Sequence, residues 1–122
     1  MEKSKIMFLD EKTISNLQYY MPDNSVLQQM ANFFSIFSDE TRLKILSALS
    51  LSKMCVNDIS VSLNLNQTTV SHQLKILKAV GVVKDDRCGK VIYYSIATKT
   101  INEVMLSGVD YLFDNKEQGT IA

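Results

Sequence analysis

Several features are scarce in this sequence, and each absence excludes a class of protein. The two cysteines, Cys55 and Cys88, are too few for a disulfide framework. No apolar run approaches the length of a membrane span, and the charged start at residues 1–5 does not resemble a signal peptide. We therefore expect a protein of the reducing cytoplasm that makes no membrane contact.

The residues that enzymes use for chemistry are also sparse. The sequence contains no glycine-rich phosphate loop and no clustered carboxylates, and no plausible nucleophile lies near its one histidine, His72. Nothing in the sequence calls for a cofactor. These absences argue against an enzyme and favour a binding function.

The chain has no net charge, but its charged residues are unevenly distributed. The 13 basic and 13 acidic residues cancel, which argues against a generally basic nucleic-acid binder. Residues 66–99, however, hold six basic residues and two acidic ones, a local excess of four. A basic third in a neutral chain of 122 residues is typical of a single domain with one defined DNA face.

The stretch 66–80 predicts an amphipathic helix, with a start signal at Asn66 and a stop at Gly81. Its apolar stripe has spacings of three and four residues: Val70, Leu74, Leu77 and Val80. The other face is free of acids and offers hydroxyls, amides and lysines. We expect base contacts from the first turns, by Gln67, Thr68, Thr69 and His72. We expect phosphate contacts from Ser71, Gln73, Lys75 and Lys78.

The flanking segments predict a winged helix-turn-helix. A short helix from Cys55 or Asn57 to Leu63 and a tight turn at 64–66 precede the recognition helix. After Gly81 the periodicity changes from 3.6 to 2, which indicates strands at 82–84 and 91–96. The tip between them has Gly89 at positive φ. We expect Arg87 and Lys90 at this tip to follow the DNA backbone, while Asp85 and Asp86 repel it.

The remaining segments predict helices at 10–20, 24–37, 39–49 and about 98–115. Asn24 or Ser25 is expected to cap the second, and the Ser38 hydroxyl the third. Arg42 and Lys44 should face water or an acid.

Excess apolar surface on two of these helices predicts a homodimer. We therefore divide the chain into an arm with a short helix (1–23), a DNA-binding and dimerisation domain (24–115) and a disordered tail (116–122). The expected interface residues are Leu27, Met30, Phe34, Ile101, Val104, Met105, Gly108, Tyr111 and Leu112.

Three segments together resemble the ArsR/SmtB winged-helix repressors, over residues 26–113. They are Phe37-Ser-Asp-Glu-Thr-Arg-Leu-Lys-Ile-Leu46, Gln67-Thr-Thr-Val-Ser-His-Gln-Leu-Lys-Ile-Leu77 with Gly81-Val-Val83, and Gly89-Lys-Val-Ile-Tyr-Tyr-Ser95. The resemblance implies a mainly α fold of five to six helices with a two-stranded wing. It also implies a homodimer through the first and last helices. Such a dimer would bind a near-palindromic operator as a repressor and be released by an inducer.

The chain departs from the family's metal positions. The segment that resembles the arsenic-type site is Cys55-Val56-Asn57-Asp58-Ile59-Ser60, with one thiol where that site has three. A cadmium-type site takes cysteines from the N-terminal arm, and residues 1–54 contain none. The zinc-type positions are mostly without ligands: Thr98, Thr100, Tyr111 and Asp114. We expect no metal site, and an unknown inducer that is not a familiar metal ion.

Two alternatives stay open. Cys55 lies at a helix start and Cys88 beside Arg87, which favour thiolate, so a repressor that responds to redox state or sulfide is one of them. Their places on the helix-turn-helix and the wing argue against pairing within a subunit. The other alternative is a helical interaction module that binds no DNA. A steep fall of DNA affinity with salt would exclude it.

Overall fold

The computed structural model describes residues 8–117, which form six helices and one two-stranded hairpin. Residues 1–7 of the predicted arm and 118–122 of the predicted tail lie outside the described range. The chain divides into two compact units between Phe33 and Phe34, inside a helix. No described helix is both long and apolar enough to span a bilayer.

The first unit contains α1 (Glu11–Tyr20) and most of α2 (Asn24–Ser35). Asp10 begins α1, where its Oδ1 accepts from the Thr13 amide at 2.8 Å. Asp23 begins α2 and accepts from the Val26 amide at 3.1 Å and from the Ser25 hydroxyl at 2.9 Å. The predicted cap at Asn24 or Ser25 was therefore wrong by one or two residues, because Asp23 is the residue placed to reach the third amide of the helix.

In the second unit, a 3₁₀ turn (Ile36–Ser38) leads into α3 (Glu40–Leu51). The Asp39 carboxylate caps α3 by accepting from the Arg42 amide at 3.0 Å. The predicted capping hydroxyl of Ser38 instead donates to the Ser35 carbonyl at 2.7 Å, so that prediction was wrong. The helix buries Ile45, Leu46, Ala48 and Leu49, which form the base of the core.

Helix α4 (Val56–Leu63) and helix α5 (Gln67–Ala79) are joined by a three-residue turn. Asn64 has a left-handed backbone with φ 57° and ends α4, a conformation that asparagine tolerates better than most residues. The Leu65 amide then donates to the Ser60 carbonyl at 3.0 Å, and the Ser60 hydroxyl donates to the Leu65 carbonyl. This turn fixes where α5 starts, and it confirms the predicted helix-turn-helix.

The hairpin consists of β1 (Val83–Cys88) and β2 (Val91–Ile96), and we call it the wing. Cys88 pairs with Val91, so the turn is only Gly89 and Lys90, with Gly89 at φ 65° as predicted. The predicted six-residue tip was too long. Residues 85–87 are charged, and the segment 85–88 carries no strand signal of its own, but pairing with β2 imposes the strand conformation on it.

Helix α6 (Lys99–Glu117) follows β2 and runs two residues beyond the predicted end of the domain at 115. Its first turn buries Ile101 at 4% exposure, in a core that also holds Val82 and Val83. Besides its pairing with β1, β2 is bridged to residue 54: Met54 and Tyr94 exchange backbone hydrogen bonds of 2.8 and 3.1 Å. The connector before α4 is thereby attached to the wing by an isolated β-bridge.

Candidate nucleic-acid interface

The recognition helix α5 is fixed at both ends and along one face. The Asn66 side chain accepts from the Thr69 amide at 2.7 Å and begins the helix. Val70, Leu74 and Leu77 are buried beneath it. At the far end, Gly81 adopts φ 81°, and the Val82 amide donates to the Leu77 carbonyl at 2.9 Å, the pattern of a Schellman end.

Val80 corrects the predicted apolar stripe. Its side chain is 53% exposed, whereas the other three members of that stripe are buried. Val80 occupies the C-cap, with φ −92° and ψ 4°, so the chain turns away there before its side chain can join the face below.

Three predicted DNA contacts lie on one outward line of α5. Thr68, His72 and Lys75 are spaced by four and three residues, opposite the buried face, and all three are exposed. We call them the outward stripe. Ser71 is exposed beside it, while Thr69 is half-buried on a flank. The stripe is a surface of hydroxyl, imidazole and ammonium groups, which suits base edges and phosphates.

Three other predicted contacts are held by neighbouring elements. Gln67 Nε2 donates to Asn57 Oδ1 of α4 at 3.0 Å. Gln73 Oε1 accepts from Arg42 Nε of α3 at 2.9 Å. Lys78 Nζ lies 2.7 Å from Asp85 Oδ2 of β1. These polar contacts attach α5 to three different elements, in addition to its apolar packing.

The ion pair of Lys78 with Asp85 changes what both groups can do. The hydrogen bond from Lys78 to Asp85, together with their Coulombic attraction, raises the pKa of Lys78 above its ordinary value of 10.5. Lys78 therefore stays charged, but the negative charge of Asp85 partly offsets it. The repulsion predicted for Asp85 is correspondingly weakened, and Asp86 is the acid of the pair left without a lysine partner in the described residues.

The wing tip presents Arg87 and Lys90, both exposed. Arg87 Nη1 donates to the Gly89 carbonyl at 3.4 Å, so the side chain folds back over the turn. In the middle of the wing, the ammonium of Lys53 lies 5.3 Å from the centre of the Tyr93 ring. The tip thus offers two cations within a four-residue span, beyond the acidic part of β1.

The two cysteines are free, with Cys55 half-buried at the start of α4 and Cys88 exposed at the end of β1. Cys55 makes no side-chain cap bond. In the described part of the chain, no three residues of the types His, Cys, Asp and Glu cluster as a metal site would require.

A second surface of the second unit is apolar. On α6, Val109, Tyr111, Leu112 and Phe113 are all exposed, at 46–66%. A groove of about 400 Å³ runs between α3 and α6, and its lining includes Leu43, Met105 and Gly108. Val104 also lines it and is half-buried, as Met105 is.

Ile101 does not belong to this surface, which corrects its predicted place in a dimer interface. It lies in the first turn of α6, where the helix packs on β2, so the chain itself covers it. The predicted residues of α2, by contrast, remain exposed: Leu27, Met30 and Phe34.

Sequence reasoning missed Arg42 and Asn57 as partners of the recognition helix. Arg42 was expected to face water or an acid, and it meets an amide instead. The two partners are 31 and 10 positions from the residues they bind, so no local spacing could have indicated them.

Comparison with known proteins supports this geometry. Residues 39–85 match the family model described as "Bacterial regulatory protein, arsR family". The chain is 39% identical over 85 residues to a transcriptional repressor SmtB homolog of Synechocystis, covering 70% of this chain and 64% of that protein. It is 41% identical over 83 residues to the cadmium resistance regulator CadC of Listeria innocua, covering 67% and 70% respectively.

Solved structures share the fold. The homodimeric winged helix-turn-helix DNA-binding domain Mb0332 of Mycobacterium bovis superposes with a TM-score of 0.67 at 26% identity, covering 82% of this chain and 94% of that one. The six helices and antiparallel wing of the described residues have the same architecture. The fold and the sequence identity to curated repressors agree, and the chain belongs to the arsR family of bacterial regulatory proteins.

Proposed function

We propose that this protein is a cytoplasmic transcriptional repressor that binds a near-palindromic operator as a homodimer and leaves it when an inducer binds. The outward stripe of α5 is the observation that carries this proposal. It is exposed, free of acids and mounted on a helix that several neighbouring elements hold in place. A helix of that kind, followed by a wing, suits insertion into a major groove.

Within that interface, Thr68 and His72 are the residues best placed for base edges, with Gln67 and Thr69 at the sides of the first two turns. Lys75 and Ser71 are placed for phosphates, and Arg87 and Lys90 for the backbone beside the wing. Lys78 contributes a cation that Asp85 partly offsets. Specificity must then come from short polar side chains, because few unpaired charges lie on α5 itself.

Dimerisation is proposed through α2 and α6, the first and last helices of the winged-helix domain. Each of these helices leaves several large apolar side chains exposed to solvent, and exposed apolar surface of this kind is typical of an interface. The Mycobacterium bovis structure is described as homodimeric, which supports a homodimer here. Two copies would place their recognition helices about 34–36 Å apart, one turn of DNA.

The inducer is proposed to be something other than a familiar metal ion. The Listeria innocua relative is named for cadmium resistance, but the corresponding thiol positions of this chain hold one cysteine in Cys55–Ser60 and none in residues 1–54. A thiol-responsive mechanism is the alternative, and the exposure of Cys88 favours it. Repression by a Cys55→Ser, Cys88→Ser variant that has lost its response to oxidant or sulfide would establish that alternative.

Selection from a random-sequence duplex pool tests the proposal directly. The wild-type chain should enrich a two-half-site motif, with half-sites about 10 base pairs apart centre to centre. Its affinity for that motif should fall steeply with salt. No enrichment and no binding to any duplex at low salt would discard the repressor and leave the interaction module.

A further inference from the structure

Arg42 is the one cation of α3 that contacts the recognition helix through a described side-chain hydrogen bond. It lies in the first turn of α3, where its backbone amide donates to the cap Asp39. Its side chain is half-buried, and Nε donates to Gln73 Oε1 at 2.9 Å. The guanidinium is thus placed by a neutral amide on α5, at a fixed position beside that helix.

The charge of Arg42 is not matched by an acid. Among residues 8–114, whose side chains are described, the ion pair within 4.0 Å is Lys78 with Asp85. Asp39 and Glu40 are the nearest acids in sequence, and the described Asp39 side-chain bond goes to the Arg42 backbone amide. A guanidinium has five N–H donors in a planar fork, and the bond to Gln73 uses one of them.

The two flanks of α5 differ in their positive charge. A helix about 10–12 Å across fills a major groove about 12 Å wide, so its flanks face the two phosphate backbones. One flank has its own cation, Lys78. The opposite flank consists of Thr69, Gln73 and Ile76 and has none. Arg42 is joined to that flank through Gln73 and supplies the missing cation.

We propose that Arg42 is a phosphate contact of the operator and that Gln73 positions its guanidinium. This inference rests on the proposed DNA-binding function and adds a residue outside the helix-turn-helix to it. Gln73 then has a different role from its predicted one: it holds the group that contacts phosphate. The planar fork of arginine suits a phosphate that lies beside the helix, since two parallel N–H groups can reach its oxygens.

The test measures affinity for the selected duplex by fluorescence anisotropy over a range of salt concentrations. Arg42→Gln should weaken binding by about tenfold or more, since each subunit loses a charge-assisted hydrogen bond. It should also lower the slope of log affinity against log salt by about 1.8 for the dimer, at about 0.9 per phosphate. A merely structural role for Arg42 would change affinity without changing that slope.

Two further variants separate charge from position. Arg42→Lys keeps the charge and should keep most of the slope, while losing affinity because the Nε bond to Gln73 is gone. Gln73→Leu should likewise retain the slope and lose affinity several-fold, since the guanidinium is no longer held. Lys44→Gln is the matched control: it removes the same charge from an exposed position two residues on and should leave the slope at the wild-type value.

A folded Arg42→Gln variant with the wild-type slope would overturn the proposal. If Arg42→Gln fails to fold by circular dichroism, wild-type affinity in both Arg42→Lys and Gln73→Leu would overturn it instead. A wild-type chain that binds no duplex marks a different failure, that of the proposed function itself.

Discussion

Helices α5 and α6 expose opposite kinds of surface. Helix α5 buries its apolar residues and presents polar ones, and its side chains already have partners on α3, α4 and β1. Beyond its first turn, α6 leaves large apolar side chains exposed along its length. Within a single chain, the proposed DNA-binding surface is already held in place by neighbouring elements. The proposed dimer surface of α6 is still exposed to solvent. Substitutions confined to one of the two surfaces should therefore directly affect either dimer contacts or DNA contacts, but not both.

Leu112→Glu should separate the dimer, because it places a charge in the exposed apolar surface of α6. Loss of the second half-site should reduce operator affinity by on the order of a hundredfold or more. Sedimentation equilibrium and anisotropy measure the two effects. Leu51→Glu is the matched control, since Leu51 is even more exposed, at 86%, but lies on α3. A Leu112→Glu chain that remains dimeric would remove α6 from the interface.

Thr68→Ala combined with His72→Ala should bring operator affinity down towards the level of unrelated DNA, while the dimer and the unfolding temperature stay unchanged. Each base contact is worth about 1–3 kcal/mol, and both subunits lose theirs. Competition with unrelated duplex measures the loss of specificity. Thr69→Ala provides the comparison, because Thr69 is half-buried on the flank. A greater loss of operator affinity in Thr69→Ala than in Thr68→Ala would mean that the base-contacting face of α5 lies closer to the Thr69 flank.

Asp85→Asn should tighten DNA binding a few-fold, since it releases Lys78 from its ion pair and removes a negative charge from the wing. Lys78→Gln should have the opposite effect and leave Asp85 unpaired. The difference between the two variants should shrink as salt rises. Weaker binding by Asp85→Asn would mean that the pair acts mainly by holding the wing in place.

The caps of the first unit predict a small effect of acid. The Val26 amide and the Ser25 hydroxyl lower the pKa of Asp23 below its ordinary 3.8, and the Thr13 hydrogen bonds do the same for the pKa of Asp10. A lowered folded pKa means that the contribution to stability is present above 3.8 and is lost as pH falls through the folded value. Asp23→Asn keeps a cap without the titration. Helicity should therefore fall on acidification less in that variant than in wild type, as circular dichroism would show.

The order and type of the elements could be predicted because each has a local signal. Val70, Leu74 and Leu77 give the recognition helix its period, and Gly81 and Gly89 mark backbone positions with positive φ. The metal positions could be compared only through the family resemblance. The polar face of α5 could be predicted because the apolar residues occupy the opposite side of the helix.

The errors arose where tertiary contacts decide. Residues 85–88 form a strand because β2 pairs with them, although the first three of them are charged. Ile101 belongs to the same apolar stripe as Leu112, and the sequence cannot tell which end of a stripe the chain covers itself. Arg42 and Gln73 are 31 positions apart in the sequence and form a hydrogen bond. Because neither opposite charges nor apolar spacing links them, only the folded chain reveals this contact.

The attachment of β2 has a consequence for how a signal could travel. The strand is bonded to the connector before α4 through Tyr94 and Met54, and just past its end the Ala97 amide donates to the Val82 carbonyl at 3.0 Å. Only residues 97 and 98 separate β2 from α6. These two residues can accommodate only a small tilt of α6. A larger tilt must either break one of these backbone hydrogen bonds or move the helix-turn-helix together with α6. The two-residue connection at 97 and 98 therefore limits how far α6 can move in the proposed dimer before the distance between the two recognition helices changes.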